Sequence, residues 1–234
     1  MNQTAPPLPP RKNTQTTRET LTHGALAVKI LVRPVIFLGS LLFLLNGCFR
    51  LGSPTPAARL YRLEAPAHLA ASTPKKLSGK GPVLMVSAAG AASEYDTAAM
   101  AYMRSRHQIE YFTHSRWLDK PARLLQTALV RELNEHPALE AALAAPSAAQ
   151  ADYLINLTLL ELYQDFLPPE SARLIFSCQL EIIDHRGKLV GSRVFQESEA
   201  ATPPDAVGGV AAANRILSRL LPRLAAFCAQ SVQQ

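Results

Sequence analysis

Asp152-Tyr153-Leu154-Ile155-Asn156-Leu157-Thr158-Leu159-Leu160-Glu161-Leu162-Tyr163 and, beyond the break at Pro168-Pro169, Ala172-Arg173-Leu174-Ile175-Phe176-Ser177-Cys178-Gln179-Leu180-Glu181-Ile182-Ile183 decide the architecture of this chain. Both are long β-type runs. In the second, Leu174, Phe176, Cys178, Leu180 and Ile182 fall on one face. Arg173, Ser177, Gln179 and Glu181 fall on the other, together with Ile175 and Ile183. A run that is apolar on one face and mixed on the other predicts a half-buried antiparallel strand. Asp184-His185-Arg186-Gly187-Lys188 then reads as a turn, with glycine where a positive φ is needed. Residues 189–198 return as the partner strand.

Working outward, Pro203-Pro204 closes the strands and Asp205 opens a C-terminal helix. Its apolar stripe is Val210, Leu217, Leu220, Leu221, Leu224 and Cys228, and Pro222 is expected to bend or interrupt it. Towards the N-terminus, residues 61–63 suggest a short first strand. Residues 82–87 form a nearly all-apolar second strand, hence a central one. Residues 98–104 and 108–114 flank Ser105-Arg106-His107 as a hairpin. Asp119 offers an N-cap with Pro121 in the first helical turn, and Leu124, Leu125, Ala128, Leu129 and Leu133 share a face until His136-Pro137. Residues 137–150 are Ala-rich; propensity favours a short helix, and the length leaves room for an edge strand. Two helices and about six hairpin-linked strands give an α+β fold, an antiparallel sheet with both helices on one face. Cys178 and Cys228 both point inward on this reading. Small buried hydrophobes are preferred to a disulfide.

The N-terminal part has a different character. Pro34-Val35-Ile36-Phe37-Leu38-Gly39-Ser40-Leu41-Leu42-Phe43-Leu44-Leu45-Asn46-Gly47-Cys48 follows Lys29 and Arg33. A basic flank, a short apolar core and a small residue before the cut make a secretory signal. The core is too short for a bilayer of about 30 Å. Cys48 after Gly47 resembles the lipobox of bacterial lipoproteins, in which the thiol is acylated and the signal removed. Residues 1–47 are thus a signal peptide with a long extension, whose compact form would begin near Val28. Residues 48–58 form a lipidated flexible tether, and residues 59–234 form the folded domain. Phe49 rather than Asp after the cysteine implies, by resemblance to lipoprotein sorting, the inner leaflet of the outer membrane. The formal charge of +6 falls to +2 without residues 1–47, which hold five basic groups and one acid. Basicity is therefore no argument for nucleic acid.

Three sets of residues carry a family resemblance. The first joins Glu94-Tyr95-Asp96-Thr97-Ala98-Ala99-Met100-Ala101-Tyr102 to Ile109-Glu110-Tyr111-Phe112 and Ser115-Arg116-Trp117-Leu118-Asp119-Lys120-Pro121-Ala122. The second is Ala151-Asp152-Tyr153-Leu154, and the third is Asp184 to Leu189 with Arg193-Val194-Phe195. In this order after a lipobox, they resemble the ABC-type transport auxiliary lipoprotein family, of which PqiC (YmbA) is a member. One departure is Met103, which stands where the family pattern has Arg; Arg104 follows it. The resemblance implies a fold like the N-terminal domain of TolB. It also implies a partner: an ABC permease and ATPase whose substrate-binding subunit carries a mammalian-cell-entry (MCE) domain. Such systems move phospholipid or other hydrophobic molecules between the two membranes. A homo-oligomer is a further implication. The alternative is an assembly factor for another envelope complex, in lipopolysaccharide export or envelope integrity.

The motifs of chemistry do not point to an enzyme. GxSxG, HExxH and a Walker A loop are all missing; Ser78-Gly79-Lys80-Gly81 lacks the upstream glycine. The five histidines after residue 48 sit in loops, turns or strand ends without an i+4 partner, so solvated or capping roles are preferred to metal ligation. No catalytic residue, cofactor or metal is expected. Tyr95, Asp96, Tyr102, Arg116 and Trp117 are the candidate partner-binding or core-anchoring residues. Trp117 with Arg116 beside it reads first as a core anchor with a cation–π neighbour, and second as a binding hot spot. The lipid reading is directly testable: Cys48→Ala should abolish palmitate labelling and membrane association while circular dichroism and melting temperature stay unchanged.

Overall fold

A computed structural model describes residues 57–64, 77–167 and 171–233. The expected signal, Cys48 and most of the expected tether lie outside the described residues. Among those described, nine strands form one sheet and two α-helices cover it. The strands are β1 (Arg59–Tyr61), β2 (Val83–Val86), β3 (Gly90–Ala91), β4 (Ala99–Ser105), β5 (Gln108–Trp117), β6 (Ala141–Ala144), β7 (Tyr153–Asp165), β8 (Arg173–Asp184) and β9 (Leu189–Ala200). The helices are α1 (Pro121–Glu135) and α2 (Ala206–Ser231). The α+β class expected from the sequence is what the chain adopts.

The sheet is mixed rather than antiparallel. β7–β8, β8–β9 and β4–β5 are antiparallel, as their hairpin-like spacing suggested. The other edge of β7 takes β2, β3 and β4 one after another, all parallel to it. β6 and β1 add in parallel to β2 and β5. Parallel neighbours need a crossover rather than a tight turn, and α1, between β5 and β6, supplies one. Short segments that pair in parallel carry no local signal of strand direction, which sets this sheet apart from the hairpin-linked one expected. The Ala-rich stretch after α1 resolves the same way: Ala141–Ala144 pairs with Val83–Val86, so the edge strand forms and the short helix does not.

Asp119 does not cap α1. The cap position is Lys120, with Pro121 opening the helix. Asp119 Oδ1 accepts from the Lys120 amide at 2.7 Å, and Oδ2 pairs with Arg123 at 3.3 Å. Asp205 does cap α2, accepting from the Gly208 amide at 2.9 Å. Pro222 sits inside α2 without ending it.

Both helices pack on one face. Ile155, Leu157 and Leu159 of β7 and Phe176, Cys178 and Leu180 of β8 meet Leu125, Leu129 and Leu133 of α1 and Ile216, Leu217 and Leu220 of α2. Each of these side chains is essentially sealed from water. At about 25 cal/mol per Å² of apolar surface, this layer supplies the main favourable term in folding. Cys178 and Cys228 are free thiols within it, so the disulfide alternative is not formed. Burial pushes both up to about 12, which keeps them protonated and unreactive.

One contact fixes the start of α2 against the sheet. Gln164 is buried, and its amide donates to the Asp205 carbonyl at 2.8 Å. A Cβ on Gly209 would lie 1.9 Å from Gln164 Nε2. Gly209→Ala should therefore destabilise the protein by about 1–3 kcal/mol through overpacking and the lost bond. Denaturant midpoints of Gly209→Ala, Gln164→Ala and the double variant check this, with strong non-additivity expected.

Candidate functional site

The predicted site residues lie around the β4–β5 hairpin and the 3₁₀ turn Ser93–Tyr95, but they do not converge on one point. Tyr95 is buried and stacks on Tyr163, ring centroids 6.4 Å apart. Loss of hydration raises its hydroxyl pKa, with Glu161 and Glu94 adding to the effect. Asp96, one residue on, is exposed and pairs with Lys120 at 3.0 Å, tying the turn to the head of α1. Tyr102 packs against Phe112 and Phe166 at 4.7 and 5.9 Å. Its hydroxyl donates to Glu110 at 2.8 Å, and that bond raises its pKa.

Trp117 is only 2% exposed, at the end of β5. Its backbone amide donates to the Ala98 carbonyl at 2.8 Å. The structure therefore places it in the core. Arg116 points outward and does not stack on Trp117. The cation–π contacts among the described residues are Arg104 over Tyr102 at 5.0 Å, and Arg193 and Arg223 over Phe195. The residue after the family departure, Arg104, is thus held on Tyr102.

Exposed apolar groups gather on the same edge of the sheet. Leu60 of β1 is the register partner of Arg116. Leu60, Leu118 and Tyr111 are all well exposed. The Tyr111 hydroxyl donates to the Glu94 carbonyl at 2.9 Å, which holds the ring in place on the surface. Nearby, Leu63, Leu118, Leu124 and Ala128 line an apolar cavity of about 270 Å³ between β1 and α1, with Arg62 and Arg131 among its walls.

Glu140 carries no local sequence signal. Its carboxylate is buried and accepts from the backbone amides of Ser78, Gly79 and Gly81 and from the Ser78 hydroxyl. Ser78-Gly79-Lys80-Gly81 therefore makes a nest of N–H groups, and the anion that fills it is the protein's own. The partner lies some sixty residues downstream, so no local pattern could reveal it. Chiefly through the Ser78 hydroxyl, these donors lower the Glu140 carboxyl to about 2. Among the described residues, no group of three or more His, Cys, Asp or Glu is placed to hold a metal ion. No described helix is long and apolar enough to cross a membrane.

A family model described as "ABC-type transport auxiliary lipoprotein component" matches residues 61–225. The chain belongs to that family. Solved structures share the fold. Protein XCC0632 from Xanthomonas campestris, of family DUF330, superposes with a TM-score of 0.65 at 15% identity, over 76% of this chain and 98% of that one. An uncharacterized protein gives 0.55 at 15% identity, over 75% and 99%. The curated proteins include none that matches. Family membership makes this chain an auxiliary lipoprotein component of ABC-type transport.

The Glu140 nest gives a pH signature. A carboxyl lowered from 4.5 to about 2 on folding contributes stability that is complete above about pH 4.5 and is lost as pH falls towards 2. Glu140→Gln should melt lower than the native chain at pH 7, and the gap should close between pH 4.5 and 2. Melting temperatures across that range measure it.

Proposed function

We propose that this chain is the outer-membrane accessory of an MCE-type ABC transporter, held by acyl chains on Cys48 at the inner leaflet and facing the periplasm. It moves no bond of its own. It binds and positions the periplasmic assembly that carries phospholipid or another hydrophobic molecule between the membranes. The observation that carries this reading is the auxiliary-lipoprotein family match across nearly all of the folded domain.

The groups whose pKa is shifted are not poised for acid–base chemistry. A catalytic acid or base is useful when its pKa lies near the working pH. Here every resolved shift runs the other way. The tyrosines and cysteines go up, while Glu140, Asp184 and Glu199 go down. Each group is held in one protonation state at neutral pH. The docking surface we assign is the β1–β5 edge, which exposes Leu60, its register partner Arg116, Tyr111 and Leu118. Of these, Tyr111 and Arg116 are of the residue types enriched in binding hot spots.

Two variants separate core from interface. Trp117→Ala should cost about 3–5 kcal/mol of stability, as loss of a large buried aromatic does. Arg116→Glu should leave the melting temperature unchanged and abolish co-purification with an MCE-domain protein, permease and ATPase from native membranes. Recovery of lipopolysaccharide-export or envelope-integrity components in their place would overturn the reading.

A further inference from the structure

The sheet face turned away from the helices carries a row of five apolar side chains in register. Leu143 of β6 partners Met85 of β2, and Met85 partners Leu154 of β7. Leu154 in turn partners Ile183 of β8, and Ile183 partners Leu189 of β9. Directly opposite partners share a face. Their neighbours along the strands, Leu84, Ile155 and Ile182, are fully buried on the helix side, so the row faces outward. Leu154 is 37% exposed and Leu189 52%. The next row along the strands is polar, with Asn156, Glu181 and Ser192 in register. Polar groups thus bound the strip on that side, while on the other Val83 and its partner Ala141 widen it by one row at the β2–β6 end.

Its dimensions select an occupant. Five strands about 4.8 Å apart make a strip roughly 19 Å long. A stable protein–protein contact covers about 800 Å² on each partner, far more than so narrow a strip offers. A single extended acyl chain has this shape. At its Leu189 end the strip meets the β8–β9 turn, where His185, Arg186 and Lys188 are exposed. The acid of that turn, Asp184, has its Oδ1 occupied by the amides of Arg186 and Lys188 at 2.8 and 2.9 Å. Arg186 and Lys188 thus belong to the turn at the strip's end, where Asp184 turns Oδ1 to backbone amides.

We propose that the strip binds one anionic long-chain lipid, its tail across Leu143 to Leu189 and its headgroup on Arg186 and Lys188. The inference deepens the transport reading, on which it rests for the source of the amphiphile, by placing a lipid contact on the auxiliary subunit itself.

The test is photo-crosslinking of the full chain in its own envelope, with a benzophenone amino acid in place of Leu154. Leu189 serves as a second labelled position, and Val207 of α2, also exposed, as the control. The expected result is a phosphatidylglycerol-type adduct at Leu154 and Leu189, at least five-fold above Val207 by mass spectrometry. Arg186→Glu with Lys188→Glu should reduce it several-fold without moving the melting temperature. Equal yields at all three positions would mean mere closeness to a membrane and would overturn the proposal. So would a protein adduct in place of lipid, or capture indifferent to the charge reversal. Lipid capture needs no transporter, so loss of co-purification with capture intact would sink the transport reading alone.

Discussion

Everything in this fold hangs on the two edges of β7. One edge pairs with β8 along its whole length, and the other is shared out among β2, β3 and β4. A buried backbone amide or carbonyl without a partner costs free energy comparable to a lost hydrogen bond. Thirteen central residues therefore require several short segments to arrive in the right order. A β-bulge between Leu159 and Glu161 completes the arrangement. Strand side chains alternate faces, and one extra residue reverses the sense of alternation. Before the bulge Ile155, Leu157 and Leu159 point to the helices; after it Leu162 and Gln164 do. Without it Glu161 would enter the core, and Tyr163 would lose its place against Tyr95.

This explains which parts of the fold the sequence revealed. The β7, β8 and β9 strands and both helices announce themselves because each is long, periodic and bounded by Pro, Gly or a cap. Ala141–Ala144 and Gly90–Ala91 are strands only because β2 and β7 offer them an edge. Nothing in Ala-Ala-Leu-Ala or Gly-Ala prefers extension. The site followed the same rule. Trp117 as a core anchor is visible from a bulky aromatic at a strand-to-helix junction. The Glu140 nest and the five-strand apolar row are products of long-range register, and register is a property of pairs of strands. Asp119 misled because a helix-capping residue type one position early can instead satisfy the preceding backbone.

The far edge of the sheet shows how charge is used for shape. Among the described residues β9 pairs only with β8, so its twelve residues present an edge that invites another strand. On its helix side, Glu197 and Glu199 are held by Arg215, Arg219 and Arg223 of α2, with Arg219 reaching both. Single exposed ion pairs contribute little to stability. A network of three arginines on two carboxylates holds α2 across the edge strand, and charged side chains at an edge disfavour pairing with a second sheet. The Arg–Glu network thus does more for solubility and placement than for the free energy of folding.

The two faces of the sheet divide the work. The helix face is closed: its apolar groups are consumed by α1 and α2, and its buried polar groups serve to position the helices. Among the described residues no α-helix packs on the opposite face, and polar residues occupy most of its rows. One row on it is apolar across five strands, although the sequence alternates and could have supplied polar groups there as readily as in the next. Folding gains little from Leu189 or Leu154 at the exposure they retain, since burial is what makes a side chain stabilising. A row that does not contribute to the core, is too narrow for a protein interface and ends at a turn with two cations is best explained by what binds it. The α+β fold, built outward from β7, is what brings those five side chains and that cationic turn into line.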